Sequence, residues 1–535
     1  MRSRIGILGL TVVVGLSVLG SELAGRPCFA EGDDGATESP VEAESPPDAE
    51  SDADAESDAD AAQAEAEQPI SAPAGQRVRM RLDVSGELFA ATGGDGATVR
   101  EPVTMNARFD FDERPDAAGT ATARRYRDAT ATLELAGQKS STMLAGDARQ
   151  IVVVRRGTTP SAYLEDGFLT GDEADLVETP FDSLLLDDLL PKAAVRRGER
   201  WDVAADLAAG LLAIDTIESG GLVARLVEVT EGRAKVVVEG MVDGAADGAP
   251  THVTVEGSFS ATVVAAPAPT VSGDGGGDDA SDGATDQTFV FQGKVAQATV
   301  IMRERRQQSH VAPGFDVEAR LAVARGPIDS STTGEDEAVA SAAADGADDR
   351  GARSLRRRGA GAPGRLWHRD PSSRFDLVHD ARWKRVEDGP HGLVLRLVDH
   401  GALVGQCSIM CLPGAAAAEP PSVADVRRDF ERSLAGQVSR IDEADETVRA
   451  DGVRVVRLEA AGTAGGLSFR WMHYVLAGAN GRASVTFMCE APLRLRFGDA
   501  DRRLVEGLRL IPAAEANDPA SATAARPDGG AGPRR

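Results

Sequence analysis

The chain has 535 residues, 42% of them hydrophobic, enough to fill the cores of two or three domains. Its net charge of −27 is concentrated: residues 31–68 hold fifteen Asp and Glu and no Lys or Arg. A strongly acidic chain with 4% aromatic residues argues against a nucleic-acid binder, and an odd set of three cysteines after the N-terminal leader argues against a disulfide scaffold.

In chain order, Arg2 and Arg4 precede an apolar stretch from Ile5 to Leu19, and Ala30 follows Pro27, Cys28 and Phe29. Charge, apolar core and small residue in that order predict a secretory signal peptide over residues 1–30 and a mature chain starting near Glu31. The apolar run is short for an uncleaved membrane anchor. Arg26 and Pro27 separate Leu23, Ala24 and Gly25 from Cys28, which breaks the lead-in to a lipidated cysteine. No other segment has the length and apolarity of a membrane-spanning helix, so the exported chain is expected to carry no stable transmembrane segment. Residues 31–75 cannot bury enough apolar surface to offset their ordering entropy and are expected to form a disordered acidic tail.

From Gln76 the pattern alternates. Val78, Met80, Leu82 and Val84 interleave with charged residues, as a half-buried strand requires. The same period returns in Val103–Phe111, Val253–Val263 and Phe315–Val323, while Tyr126–Leu135, Gln150–Val154 and Phe289–Met302 also read as strands, the last with room for a bend. Leu222–Val229 and Ala234–Met241 flank a turn through Glu231 and Gly232, a hairpin. One helix is expected among them: Thr179 as cap, Pro180 at the first helical position, and Leu184, Leu185, Leu189 and Leu190 at helical spacing. Residues 76–325 are therefore read as a β-rich domain, an open barrel or sandwich of antiparallel strands covered by that helix. The stretch Ser272–Asp286 reads as a flexible loop, and residues 326–373, with Arg353, Arg356, Arg357 and Arg358, as an interdomain linker.

From Arg374 the periodicity is mixed. Leu393, Leu395 and Leu397 alternate, and Leu403, Cys407, Ile409 and Cys411 share one strand face. Ser422 and Asp425 form a capping box before the stripe Val423, Val426, Phe430 and Leu434 of a helix ending at Gly436. Val453–Leu458, Phe469–Leu476 and Ser484–Cys489 read as strands, with Asn480 and Gly481 at the last turn. A closing helix over 499–509 is expected to bury Leu504, Val505 and Leu508. Residues 374–512 thus read as an α+β domain, with a disordered tail at 513–535.

The order of these elements, from Phe375 and Trp383 through Leu395 and Ile409, the helix, Gly452, Tyr474 and Phe487 to the final helix, resembles a PsbP-like domain. The resemblance implies an α/β/α sandwich on an antiparallel sheet and a role as an accessory, binding or assembly module, and it transfers no ligand or metal residue. The strands and covering helix of the first domain are similar in outline to the half-open barrels of periplasmic lipoprotein carriers.

Nucleophilic hydrolysis needs a Ser or Cys beside a His base held by a carboxylate. His252, His310, His368, His379, His391, His400 and His473 sit in no such context, and His379 beside Asp380 reads as a surface residue in a turn. Asp187 with Asp188 reads as the exposed side of the leucine helix, and Asp499 with Asp501 as capping, rather than as paired acids for glycoside hydrolysis. Asp278, Asp279, Asp282 and Asp286 lack the alternate spacing of a calcium loop. Trp201 and Trp471 beside Tyr474 read as core packing more than as a ligand groove. Cys407 and Cys411 on one strand lie about 13 Å apart and cannot pair, whereas a bridge from Cys489 to either stays open; three reduced, buried thiols are the expectation.

These readings name no catalytic, cofactor-binding or metal residue. They give an exported cell-envelope protein, periplasmic or secreted, acting as a non-catalytic binding or scaffold protein toward a protein partner. Two alternatives stand beside it: a periplasmic carrier of an apolar ligand in the β-rich domain, and a hydrolase with an unrecognised site.

Overall fold

The computed structural model of the protein describes residues 2–7, 10–15, 75–92, 97–266, 287–309, 311–328, 360–390, 392–399, 401–412, 421–434 and 436–511. The acidic tail, the loop 272–286, the arginine cluster 353–358 and the tail 513–535 lie outside the described residues. Of the span read as an export signal, β1 (Arg2–Ile7) and β2 (Leu10–Gly15) are described, paired antiparallel. No helix among the described residues is long and apolar enough to cross a membrane.

The β-rich region is one open antiparallel sheet. In chain order its strands are β3 (Gln76–Thr92), β4 (Ala97–Pro115), β5 (Ala121–Leu135), β6 (Gln138–Met143), β7 (Gln150–Arg156) and β8 (Thr159–Tyr163). A compact segment follows, with β9 (Leu169–Thr170), α1 (Gly171–Val177), β10 (Val195–Arg196), β11 (Arg200–Asp202) and α2 (Ala205–Leu212). The long strands β12 (Thr216–Thr230), β13 (Arg233–Ala246), β14 (Ala249–Ala265), β15 (Thr288–Arg306) and β16 (Gly314–Pro327) complete it. The sheet runs β11-β12-β13-β14-β15-β16-β3-β4-β5-β7-β8, with β6 beside β5 and β10 beside β15. The alternating residues read from the sequence, Val78, Leu82, Phe109, Val255 and Leu321 among them, face one core. The expected hairpin turns at Glu231 and Gly232, both at positive φ, which matches the twist of the flanking strands. The bend in β15 appears as register shifts against Ser260–Val263 of β14.

The leucine-rich stretch is not the α-helix expected at 179–190. Phe181 takes φ +51°, which breaks a helical path, and only Leu186–Leu189 closes a short 3-10 turn. The α-helices lie on either side of it, as α1 and α2. The segment still fills the concave face of the sheet: Leu176, Phe181, Leu185, Leu186, Leu189 and Leu211 are buried in the same core as the strands. α2 spans toward both ends of the sheet, packing on β12 and touching the β7–β8 turn. A Cβ at Gly210 of α2 would lie 2.2 Å from the Thr158 carbonyl oxygen, so glycine is required for that approach.

Polar groups fasten the segment to the sheet. Arg124 of β5 is 3% exposed, and its guanidinium donates to Asp182 at 2.9 and 2.5 Å, to Ser183 at 3.1 Å and to Glu113 of β4 at 3.0 Å. Ser183 in turn donates to Glu113, and Gln76 reaches the other Glu113 oxygen at 2.7 Å. Asp187, expected on an exposed face, is instead half-buried: it accepts from Arg325 of β16 at 2.6 and 2.9 Å and from the Val295 amide at 2.8 Å. Asp188 pairs with Arg155 at the surface.

The second region starts earlier than expected. Residues 360–369, within the span 326–373 read as linker, are folded: β17 (Arg365–Arg369) pairs antiparallel with β18 (Phe375–Asp380) and parallel with β9. A seven-stranded antiparallel sheet follows, built from β19 (Trp383–Gly389), β20 (Gly392–Asp399), β21 (Ala402–Leu412), β22 (Val438–Val448), β23 (Arg454–Ala464), β24 (Leu467–Gly478) and β25 (Gly481–Glu490). α3 (Val423–Ser433) carries the expected Ser422–Asp425 capping box. It buries Val426 and Phe430 on one sheet face, with Val456, Leu458 and Trp471. The other face packs Trp383, Leu395, Cys407 and Phe487 against α4 (Arg494–Phe497) and α5 (Ala500–Glu506). The closing helix is shorter than expected, because the chain turns at Gly507 into β26 (Leu508–Leu510), which pairs with β18. Asp501, expected to cap, is buried and accepts from the Tyr474 hydroxyl at 2.6 Å.

Replacing Arg124 by Met would leave Glu113 and Asp182 buried without a counter-charge, and such changes cost about 3–5 kcal/mol. Asp188→Asn, at an exposed pair, should cost less than about 1 kcal/mol. Urea unfolding of the two variants checks the contrast; equal midpoints would remove Arg124 from the role assigned to it.

Candidate functional site

Between the two regions lies a cleft of about 650 Å³. One wall is the β7–β8 turn and β8, presenting Thr158, Thr159 and Ser161. The floor is built by the exits of the two helices. Thr170 caps α1 in a reciprocal box with Glu173, and the helix stops at Glu178 because Thr179 precedes Pro180 and is pushed to an extended conformation. That stop sets Glu178 and Thr179 in the cleft. α2 ends on Ala213 in the left-handed conformation, delivering Ile214 and Asp215. The far wall joins the β13–β14 turn at Asp247 to Arg382, Lys384 and Asp399 of the second region. The tips of two hairpins meet there: Gly248 (φ +76°) and Gly401 (φ +73°) approach so closely that a Cβ on Gly248 would lie 2.6 Å from the Gly401 carbonyl oxygen.

Seven carboxylates and three cations line the cleft. Each cation has an acidic partner: Arg124 holds Asp182, Arg382 holds Asp380 at 3.0 Å and Asp399 at 3.1 Å, and the Lys384 ammonium lies 3.1 Å from Asp247. Asp247, with Asp175 and Glu178 behind it, keeps Lys384 protonated well above the usual lysine range. Asp215 accepts from the Asp247 amide at 2.9 Å, and burial followed by the Asp247 charge raises its pKa. Glu178 is open to water at the cleft surface, yet the enclosing protein desolvates its carboxylate and raises its pKa against the pull of Lys384. Thr179 is 8% exposed, and its hydroxyl has no hydrogen-bond partner among the described residues; neither has the Glu178 carboxylate.

The residues weighed from sequence lie elsewhere. His379 is buried in β18 rather than placed in a surface turn; its Nδ1 meets the Asp380 backbone carbonyl at 2.9 Å, not the carboxylate. With His368 it lines a smaller cavity of about 180 Å³ beside Trp367, Arg369 and Arg385. His252 Nδ1 lies 2.6 Å from Asp243 Oδ1 in the large sheet. His473 stacks on Phe430, and burial lowers its pKa to about 4, so it is neutral near pH 7. His310, His391 and His400 lie outside the described residues, as do Asp278–Asp286. Trp201 is half-buried, donating to the Leu189 carbonyl at 3.0 Å, and Trp471 is in the core. Among the described residues no group of three or more His, Cys, Asp and Glu side chains is placed to hold a metal ion.

Glu178, Asp215, Asp247 and Lys384 were not singled out by the sequence, and Thr179 was read only as a helix cap. The signals available were the Thr179–Pro180 step, read as a helix start where it is a helix stop, and the Asp247–Gly248 turn.

No family profile matches the chain, and no curated protein matches it. Among solved structures, lipovitellin aligns over 48% of this chain at 8% identity with a TM-score of 0.25, the aligned part being 26% of the lipovitellin chain. OccK5 (OpdH) of Pseudomonas aeruginosa aligns over 78% of this chain and 96% of its own at 8% identity and a TM-score of 0.11. A BenF-like porin from Pseudomonas fluorescens Pf-5 does so over 78% and 97% at 7% and 0.11. Scores of this size do not establish a common fold.

Two predictions follow from these environments. Cys407, Cys411 and Cys489 are free, and burial raises the thiol pKa in each, to about 11 in Cys411 and Cys489. Cys407 and Cys489 are buried, whereas Cys411, expected to be buried as well, is half-buried. Alkylation of the native protein, mapped by mass spectrometry, should leave Cys407 and Cys489 unlabelled until denaturant is added; rapid native labelling of either would contradict its burial. For Glu178, a raised folded pKa means the folded state holds the proton more tightly. The stability linked to it is present below the unfolded value of about 4.3 and lost as pH rises through the folded pKa. Glu178→Gln should therefore melt above the parent at pH 7 and coincide with it below about pH 4. A lower melting point at pH 7 would mean that Lys384 outweighs desolvation.

Proposed function

We propose that this chain is an exported, non-catalytic binding protein of the cell envelope, and that its ligand occupies the cleft between the β-rich domain and a PsbP-like second domain. The observation that carries this reading is the cleft itself, a concavity walled by both regions and lined by carboxylates, cations and the hydroxyls of Thr158, Thr159 and Ser161. The PsbP-like assignment is supported by an antiparallel sheet with helices packed on both faces. Export is supported by the order of Arg2, Arg4, the apolar run and Ala30.

A carrier of an apolar ligand is the second reading, favoured by the apolar concave face of the large sheet. That face is occupied by the chain's own Phe181, Leu185, Leu186 and Leu189, so an apolar ligand would have to displace them.

Three measurements test these readings. N-terminal sequencing of envelope material should give a start near Glu31, and an intact Met1 would overturn export. A photo-crosslinking residue at Ser161 in the cleft should yield a discrete adduct in cells that the same residue at Glu256, on the outer sheet face, does not; the same result at both positions would overturn the cleft. Saturable binding of the apolar probe N-phenyl-1-naphthylamine would favour the carrier.

A further inference from the structure

We infer that the outer face of the large sheet, where β3 and β4 lie side by side, holds the acidic segment 31–68 of the same chain by charge, with Arg79, Arg81 and Arg108 as its main contacts. This goes beyond the cleft reading and does not depend on it. Val78, Met80 and Leu82 of β3 face the core, so the residues between them stand on the opposite, solvent side of the sheet. The register brings the arginines together. Arg81 lies directly opposite Arg108 of β4, Arg79 is the next outward residue of β3, and Arg320 of β16 is diagonal to Arg81.

Two arginines directly opposite one another repel, and the acids of the face relieve them only in part. Asp110 is 2.6 Å from Arg77 and 3.9 Å from Arg79, and Asp83 pairs with Arg81 along the strand. Arg108 and Arg125, both exposed, make no ion pair among the described residues. Asp110 also lies low, with 25% of its side chain exposed, whereas Arg79 and Arg81 keep 63% and 58% of theirs in water. Between the row of Arg77 and that of Asp83, outward arginines on β16, β3, β4 and β5 outnumber outward acids, in a chain of net charge −27. What this face offers a partner is guanidinium.

Charge and chain continuity name the occupant. Residues 31–68 hold fifteen Asp and Glu and no Lys or Arg, and they run directly into the strand that carries Arg79 and Arg81. Glu67 precedes Gln76, the first residue of β3, by nine positions, so about 30 Å of chain separates it from a strand start that lies about 10 and 17 Å from Arg79 and Arg81. Each ion pair at such a surface contributes about 1 kcal/mol or less. The tether raises the local concentration of carboxylate, and several weak pairs then hold together a contact that an untethered peptide would lose.

Carbodiimide coupling of the full chain tests this, because it joins a carboxylate to an amine only where the two meet. Arg81→Lys and Arg108→Lys together keep the charge of the face and supply the amines, and as exposed changes of like charge they should leave the melting point unaltered. In the monomer band, links mapped by mass spectrometry are expected from positions 81 and 108 to Asp or Glu within 31–68, about fivefold or more above those from the exposed Lys139 and Lys235, and fading at raised salt. Links to the segment from all four positions alike would show a tether with no preferred face and overturn the proposal. Links confined to covalent dimers would place the segment on a second copy and overturn it too. A second measurement uses no lysine: in low salt Arg79→Ser with Arg108→Ser should scatter X-rays at small angles as a larger particle than the parent, and identical profiles would count against the contact. Added polyglutamate that couples to positions 81 and 108 while segment 31–68 does not would assign the face to an acidic partner from outside the chain, and the proposal would fall.

Discussion

Arg124 sits between two buried carboxylates, Glu113 on the adjoining strand and Asp182 on the segment that crosses the concave face of the sheet. Burial alone disfavours a charged guanidinium, but Asp182 and Glu113 hold it firmly protonated. The same surroundings push the Tyr126 hydroxyl up to about 12, chiefly through burial. A group of this kind is stable only when complete, because removing any one member leaves a charge in low dielectric. Its geometry therefore dictates the path of the chain. Phe181 must take a positive φ to turn Asp182 and Ser183 toward Arg124, and the leucines that follow are then delivered beneath the strands. The Asp187–Arg325 contact fixes the far end of the segment on a strand distant in sequence. Thr179 and Glu178, just upstream of the turn, are carried to the cleft floor by the same constraint.

The walls of the cleft belong to different regions of the chain, so its shape depends on what joins them. Two ion pairs cross the junction, Arg385 with Asp172 and Lys384 with Asp247, and both are partly exposed. Pairs of that kind contribute about 1 kcal/mol at most and do not by themselves hold two regions of this size together. The stronger link is the strand pairing of β17 with β9, which places Leu366 in the core of the large sheet. The short bridge from Asp166 to Ala360 extends it. The contact of Gly248 with Gly401 closes the opposite rim, where a side chain on Gly248 would collide with the Gly401 carbonyl oxygen.

Much of the fold was legible in the sequence, because each long strand carries one apolar face and period-two alternation survives without knowledge of partners. The α3 capping box, the Glu231–Gly232 turn and the Asn480–Gly481 turn were legible for the same reason: their chemistry is local. The leucine segment was misread because its spacing fits a helix, while its path is set by Arg124, some sixty residues away, and local propensity yields to a buried ion pair. β17 was hidden in a stretch rich in Gly and Arg, and its partner β9 is only two residues long. The cleft was illegible because its residues come from seven separate stretches, and nothing in an Asp-Gly turn tells which other turn it will touch. His379 was read as a surface turn residue and Asp501 as a cap; both are buried by elements that return to them from elsewhere along the chain.

Pro180 and the capping of α1 determine where that helix stops, and hence that positions 178 and 179 face the cleft. They do not determine which side chains stand there. A glutamine at 178 would meet every demand of the backbone and would avoid an ionised group that its surroundings disfavour. At 179 a valine would suit the extended backbone before proline and fill the same volume without a hydroxyl. The neighbouring polar groups behave differently: Arg124, Asp182, Ser183 and Glu113 bond to one another, Asp187 pairs with Arg325, and both sets tie the segment to the sheet. Within a few residues the chain thus passes from polar groups paired inside the fold to polar groups that open on the cleft. The first kind holds the segment in place, and the second is what a ligand entering the concavity would meet.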